Sequence, residues 1–334
     1  MTRRSSTRPA GIRLAGTGMA VPERTLTNED LARMVDTSDA WITQRTGIKT
    51  RRTVENGTTI RDLGREALLQ ALENAGMEPG DLDMVLLATL TPEMPCPSSA
   101  ARLVSEIGAV PAGAMDLSAA CSGFVYGLNL ASSLIEAGRH KTVAVVGAET
   151  LTQVTDWDDR RTCVLFGDGA GAAVVTASDN PEQGCLEQSM HSNGKLWPEL
   201  YLPMAQEQVP EGVTFTGKLN TLQMNGREVY KFAVGTTLKL IERTLDAAGV
   251  SPDDLAMIIP HQSNKRIIES ARDKLGLPEE RVWINIDRFG NTSAASVPIC
   301  LHELMEAKRI GEGDLVLFIA VGGGMTWSSN LWRL

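Results

Sequence analysis

Aromatic residues are scarce in this chain (4%), and there are only four histidines, at 140, 191, 261 and 302. So few imidazoles leave a short list of side chains that can move protons near neutral pH. Cysteine is sparse too: Cys96, Cys121, Cys163, Cys185 and Cys300 are odd in number, dispersed, and lack a CxxC pair. This pattern argues against a disulfide framework and a zinc site, and it fits a reducing, cytoplasmic setting. No apolar run reaches the roughly 18 residues of a membrane span. The basic start, MTRRSSTRPAG, has no apolar stretch behind it, so no signal peptide is expected. Basic residues are outnumbered, 32 against 41, for a net charge of −9. That excess argues against broad nucleic-acid or anionic-membrane binding, though a local basic patch remains open.

What is present is glycine (31 residues) and an ordinary apolar fraction of 43% over 334 residues, enough for one large domain or two fused halves. Apolar periodicity predicts a frayed arm over 1–10, a strand over Gly11–Ala20, a short helix over 28–35 and a loop over 39–52. It then predicts a helix over Ile60–Ala75, a strand over 84–89, a helix over 98–107 and a buried strand over 142–147. Residues 162–166 and 172–176 read as neighbouring strands around FGDGAGAA. Residues 180–226 read as a polar connection with short strands, and 229–248 as a long helix. FGDGAGAA is not a nucleotide loop, because the β-like Val174 and Val175 follow it rather than a helix.

The chain also repeats itself. ALENAGMEPGDLDMVLLA at 71–88 is echoed by TLDAAGVSPDDLAMIIP at 244–260, an offset of 173. SAACS at 118–122 matches SAASV at 293–297, an offset of 175, and strand-like runs follow at 142–149 and 315–324. Such spacing points to a duplicated α/β unit, with halves 1–178 and 179–334. Equivalent turns of two halves packed about a pseudo-twofold axis meet near that axis. That places Cys121 within reach of the turn at 290–296.

Cys121 sits where a short apolar run gives way to helical spacing, so it is expected at a strand-to-helix turn. Unpaired N–H groups at a helix start stabilise anions and are expected to lower a thiol pKa. The competing reading is a buried, inert cysteine. His261 follows Met257, Ile258, Ile259 and Pro260, at the carboxyl end of a strand, where α/β sheets present ligand-facing residues; the alternative is a structural histidine. His140, His191 and His302 have no comparable placement. Asn291 lies in a glycine turn before a helix, where an N-cap is the ordinary role. Gly322, Gly323 and Gly324 let backbone N–H groups approach a ligand closely.

Together DAWITQRTGI, SAACSGFVYGL, FGDGAGAA, HQSNKRI, GNTSAAS and GGGMTW resemble, in order and spacing, the β-ketoacyl-acyl-carrier-protein synthase III family of the thiolase-like superfamily, over about residues 11–334. The resemblance implies an α/β thiolase-like fold, two duplicated halves in a layered αβαβα arrangement. It implies a homodimer that joins an acyl-CoA primer to malonyl-acyl-carrier-protein by decarboxylative Claisen condensation, starting type II fatty-acid synthesis with no metal or other cofactor. Cys121 is then the acyl-accepting nucleophile, with His261 and Asn291 completing the set and the N–H groups of Cys121 and Gly323 forming an oxyanion hole. Trp41, Arg45, Arg160 and Asn264 are implied CoA contacts. Lys231, Gln262, Ser263, Asn264, Lys265, Arg266, Arg272 and Lys274 are implied carrier-protein contacts. Cys96 stands where acetyl-using members resemble one another in having Phe, from the partner subunit, so the acyl pocket is expected to be more open. Alternatives are a polyketide-type relative with the same triad, a non-catalytic acyl-carrier binding protein, and a thioester hydrolase.

Overall fold

The apolar runs collect into two sheets separated by a pair of helices. The computed structural model describes residues 9–55 and 57–334, so most of the arm expected at 1–10 lies outside the described residues. The first sheet contains β1 (Gly11–Ala20), β2 (Met84–Ala88), β3 (Gly113–Leu117), β4 (Thr142–Thr150) and β5 (Asp168–Ser178), in the order β1-β5-β4-β2-β3. β2 runs parallel to β3 and β4, and β5 is antiparallel to β1 and β4. The second contains β6 (Gly184–Ser192), β7 (Met257–Pro260), β8 (Leu315–Gly322) and β9 (Thr326–Arg333), in the order β7-β8-β9-β6. Reversed, this is the strand order of the first sheet without its β3. A single parallel bridge between Ile258 and Val282 stands where β3 pairs with β2.

The matching strands begin 173 residues apart: Gly11 and Gly184, Met84 and Met257, Thr142 and Leu315. So do the central helices α4 (Gly123–Glu136) and α7 (Ser296–Glu306). Ala120 (φ 45°) and Ser293 (φ 48°) take the same left-handed conformation just before those helices. The offset of 175 read between SAACS and SAASV is therefore two residues out. In space Cys121 corresponds to Ala294, and Asn291 to Ser118. Similar letters slid past each other in a run of small residues, whereas the backbone kept its register.

Five layers result. α2 (Ile60–Ala75) and α3 (Ser99–Glu106) cover the outer face of the first sheet, burying Leu68, Leu72, Leu103 and Val104 against Val85, Leu87 and Val146. α5 (Gly226–Ala248) and α6 (Lys265–Leu275) cover the second with Leu240, Ile241 and Ile268 over Ile258 and Leu317. α4 and α7 lie between the sheets in one continuous core with Phe124, Leu128, Val145, Leu301, Phe318 and Trp332. Each such side chain contributes about 1.5–3 kcal/mol by leaving water. β4 is buried along all nine residues, covered on both faces, which is why it reads as an unbroken apolar run. Among the described residues no helix is long and apolar enough to cross a membrane.

Three segments differ from expectation, and a fourth, residues 326–333, carried none. Residues 39–46 form a helix, α1 (Asp39–Thr46), not a loop. Ser38 caps it by accepting from the Trp41 N–H at 3.2 Å, and Gly47 ends it at φ 81°. Only Ile42 and Thr46 are buried, too few to leave a periodic signal. Residues 162–165 are turns, Phe166 makes a lone parallel bridge to Asn291, and within FGDGAGAA one long strand begins at Asp168. Its small residues admit α7, since a Cβ on Gly171 would lie 2.8 Å from the Ile299 nitrogen. The region 180–226 contains the nine-residue edge strand β6, which carries His191. β9 was disguised by its polarity: Ser328 and Asn330 are fully buried and bond to Asn129 of α4.

Gly147 of β4 touches the second half directly, because a Cβ there would stand 2.2 Å from the Ala294 carbonyl oxygen. Gly147→Ala is expected to lower unfolding stability by about 3 kcal/mol, since backbone meets backbone and neither can turn aside. Denaturant titration with circular dichroism measures this; an unchanged midpoint would show that the two turns are free to separate.

Candidate active site

β3 ends at Leu117, and the chain turns through Ala120 into a single 3-10 turn, Ala120–Ser122, before α4. Cys121 lies on that turn with 7% of its surface exposed. The end of β8 packs against it: a Cβ on Gly322 would sit 2.7 Å from the Cys121 nitrogen. Thr326 Oγ1 donates to the Ala119 carbonyl at 3.0 Å and Ser122 Oγ to the Thr326 carbonyl at 3.2 Å, fastening the two turns. The backbone N–H groups of Cys121 and Gly323 are both directed at the sulfur.

The expected depression of the thiol pKa does not hold. Burial pushes the Cys121 thiol up to about 11, and the Glu149 charge adds to the rise. Ser293 and the two backbone N–H groups pull the other way without offsetting it. Partial charges at a helix start cannot compensate for full removal of a thiolate from water.

His261 follows β7, and its N–H donates to the Ile319 carbonyl of β8 at 2.7 Å. The ring is 5% exposed, and burial drives its pKa down to about 3, so the imidazole is neutral at any physiological pH. Nδ1 lies 2.7 Å from Ser296 Oγ, the first residue of α7. Ser296 Oγ also accepts from the Gln262 N–H at 3.3 Å, and we assign its proton to Nδ1. That leaves the ring's proton on Nε2. Asn291 Oδ1 accepts from the Ser293 N–H at 2.9 Å, which fixes the amide and leaves its NH₂ to donate. The other three histidines stand apart: His302 bonds Thr17 at 3.1 Å, His191 stacks on Trp327, and His140 lies outside both cavities.

Two cavities meet at Cys121. One, about 270 Å³, runs from Trp41 and Arg45 past Ser263, Asn264, His261 and Asn291 to the sulfur. The other, about 520 Å³, continues beyond it among Leu90, Met94, Leu151, Phe166, Leu202 and Leu222. The triad thus gathers residues from both sheets at the junction of an entry channel and an apolar chamber.

A family model described as 3-oxoacyl-[acyl-carrier-protein (ACP)] synthase III matches residues 115–194, and one for the C terminal of the same synthase matches 245–334. The β-ketoacyl-[acyl-carrier-protein] synthase III of Caldanaerobacter subterraneus subsp. tengcongensis is 47% identical over 323 residues, 96% of this chain and 97% of that protein. The chain belongs to the 3-oxoacyl-[acyl-carrier-protein] synthase III family. Its fold is accordingly thiolase-like and its reaction is acyl-transferring condensation. The crystal structure of the Aquifex aeolicus synthase III superposes with a TM-score of 0.90 at 44% identity, covering 97% of this chain and 100% of that one. The priming β-ketosynthase of the R1128 polyketide biosynthetic pathway gives 0.90 at 35%, covering 100% and 99%.

In this family member the mouth of the entry channel is cationic. The guanidinium carbons of Arg45 and Arg160 lie 4.9 and 5.0 Å from the Trp41 ring centroid, and Arg160 also bonds Asp36 at 3.0 Å. Arg160 thus rests on Trp41 itself. Asn264 caps α6 by accepting from the Arg266 N–H and donates to the Arg45 carbonyl at 3.0 Å. Lys231, Arg266 and Lys274 are exposed around that mouth and helix, and Arg266 leans on Tyr230. Lys265 pairs with Glu269 and Arg272 with Asp273, which weakens their local charge. Gln262 is a correction: it is 0% exposed, and its amide binds Pro260, Trp283, Asn285 and Ile286 of the backbone. With its bonding capacity so used it is a scaffold residue and cannot touch a carrier protein. Cys96 is exposed, on the loop whose Pro92, Met94 and Pro95 line the apolar chamber.

Glu149, Ser293 and Ser296 were not singled out from the sequence. The one available signal for Glu149 was an acid closing an otherwise apolar strand. A thiol held near 11 carries its proton at neutral pH. The ultraviolet thiolate absorbance of wild type minus Cys121→Ser is therefore expected to stay at zero until pH rises above about 9. A thiolate signal at pH 7 that vanishes in the variant would reverse this.

Proposed function

We propose that Cys121 takes the acyl group from an acyl-CoA primer and that His261 and Asn291 drive the decarboxylative half of the reaction with malonyl-acyl-carrier-protein. The observation carrying this reading is the meeting of channel and chamber at one sulfur, with two uncharged N–H donors in the same wall. The sulfur attacks the thioester carbonyl, the oxyanion rests on the N–H groups of Cys121 and Gly323, and CoA leaves as its thiol. Malonyl thioester then enters by the same channel. Its C–CO₂ bond breaks, the electron pair forms an enolate, and the enolate oxygen accepts from His261 Nε2–H and Asn291 NH₂. A neutral imidazole suits this step, because it donates without giving its proton away. The enolate carbon attacks the acyl–Cys121 carbonyl, and the thiolate departs from a β-ketoacyl thioester. The two residue ranges 1–178 and 179–334 supply the nucleophile and the two donors respectively.

Around that core, Trp41, Arg45, Arg160 and Asn264 hold CoA. Lys231, Ser263, Asn264, Lys265, Arg266, Arg272 and Lys274 meet the acidic carrier protein, and no bound metal or organic cofactor takes part. Cys96 in place of a bulky gate, beside the apolar lining of Leu90, Leu151, Leu202 and Leu222 beyond the sulfur, supports primers longer or more branched than acetyl. The enzyme works as a cytoplasmic homodimer: β3 is a sheet edge hydrogen-bonded on one side only, with Met115 exposed along it, an edge that soluble proteins normally cover. The similarity to a polyketide priming ketosynthase favours a second reading, in which the same triad serves another acceptor.

Product mass spectrometry with malonyl-carrier and a panel of acyl-CoAs separates these readings and sets the primer range. Rates are expected to stay high or rise beyond C2, and a sharp drop after acetyl would refute the open pocket. Cys121→Ser is expected to form no acyl adduct. His261→Ala is expected to acylate normally and lose decarboxylation by about 10²–10³-fold. Equal loss of both half-reactions would overturn this division of labour.

A further inference from the structure

Neither half-reaction described so far says where the Cys121 proton goes. His261 is a weak candidate, since burial alone holds its imidazole neutral and far from basic. Close enough to the cysteine for its charge to act on the sulfur is Glu149, the penultimate residue of β4, which is 0% exposed. Its carboxyl is gripped by Thr91 Oγ1 at 2.7 Å, by the Leu90 N–H at 3.1 Å and by Thr89 Oγ1 at 3.2 Å. Between carboxyl and sulfur stands Ser293, 1% exposed, on the left-handed residue at φ 48°. Its hydroxyl faces both groups, yet completes a hydrogen bond of good geometry with neither. A fully buried carboxylate and an unpartnered buried hydroxyl aimed at a nucleophile are costly to keep unless they act.

We propose that Glu149 receives the Cys121 proton through Ser293 during acyl transfer, acting as a positioning and proton-holding residue for the nucleophile. The inference rests on the acyl-Cys121 reading above. The transfer balances: the Cys121 S–H proton passes to Ser293 Oγ, and the Ser293 proton passes to a Glu149 carboxylate oxygen. The thiolate that attacks the thioester then accepts a hydrogen bond from Ser293, and the protonated Glu149 no longer repels it. The proton later leaves with the CoA thiol by the reverse path, restoring the carboxylate.

Geometry and electrostatics agree on the direction. Burial raises the Glu149 carboxyl to about 7, softened by the donors from Thr91, Leu90, Ser293 and Thr89. It is therefore ionised and able to accept above about pH 7, and protonated and unable to accept below. The groups facing it are Thr89, Leu90 and Thr91 after β2, Ser293, the Cys121 turn, and Gly169 opposite it on β5. Asp168, one residue along β5, is turned away and bound to Val54 and Thr152. The one titratable partner in this group is thus Cys121.

The test is single-turnover acylation of the full-length enzyme by an acyl-CoA, followed by mass spectrometry of Cys121 across pH, in wild type, Glu149→Gln and Ser293→Ala. Wild type should show a rate that climbs as pH rises through about 7 and then levels. Glu149→Gln should acylate about 10²-fold more slowly and lose that inflection, and Ser293→Ala should do the same with every donor to the carboxyl from residues 89–91 intact. Decarboxylation of malonyl-carrier by enzyme already acylated should stay within about threefold of wild type, because His261 and Asn291 are untouched. Wild-type rates and an unchanged profile in both variants would overturn the relay alone. A uniform loss of acylation and decarboxylation in Ser293→Ala would overturn it in favour of a structural role. Absence of any acyl adduct on wild-type Cys121 would instead end the underlying reading.

Discussion

Two loops from the two sheets approach until backbone touches backbone, and everything else at the site depends on that approach. Gly322 brings the end of β8 against the Cys121 nitrogen, and Gly147 lets β4 meet the Ala294 carbonyl. Neither contact leaves space for one extra carbon. Glycine is required there for clearance rather than for unusual dihedrals, and the clearance sets the distance between the sulfur of one half and the donors of the other. The Thr326 and Ser122 hydrogen bonds then hold the approach, each contributing about 1 kcal/mol net.

The same close packing controls the electrostatics. Removing water raises the Cys121 thiol and lowers the His261 imidazole, so the resting pair is neutral on both sides rather than thiolate and imidazolium. An ion pair would tie the nucleophile to the histidine and protonate the ring before the enolate forms. On the proposed reading, neutral partners keep the two jobs separate: a sulfur that gives up its proton for acyl transfer, and a ring that only donates. Ser296 takes part in this separation by holding Nδ1, which turns Nε2 toward the site when its hydroxyl donates.

Much of this was legible from residue order. Helix α2 was expected over its observed range from apolar periodicity alone, and in the fold its Thr59 cap and Gly76 stop agree with that face. The positions of Cys121 and His261 at strand ends followed from apolar runs with abrupt finishes. Other features had no local signature. β9 is polar because Ser328 and Asn330 find partners on a helix from the other half, and α1 buries too little to be periodic. Gln262 reads as a surface amide until its four backbone partners are seen. The thiol pKa failed for a related reason: a helix start is visible in sequence, whereas complete burial is a tertiary property.

Duplication alone would give two equivalent sites, and the register shows why there is one. The partner of Cys121 is Ala294, that of Asn291 is Ser118, and that of His261 is Ala88, all 173 residues away. Each of these side chains has a small one at the equivalent position, so the axis relating the sheets carries a single such cluster. Glu149 follows the same rule with a different outcome, because its partner is Gly322. One half places a carboxylate one residue from the end of its strand, close enough for its charge to act on the sulfur. The other places no side chain at all, and it is that vacancy which lets Gly323 bring its N–H to the sulfur. Divergence between the copies therefore consists as much in what was removed from one half as in what was kept in the other, and a substitution that restored bulk on the second half would close the site without touching any group that reacts.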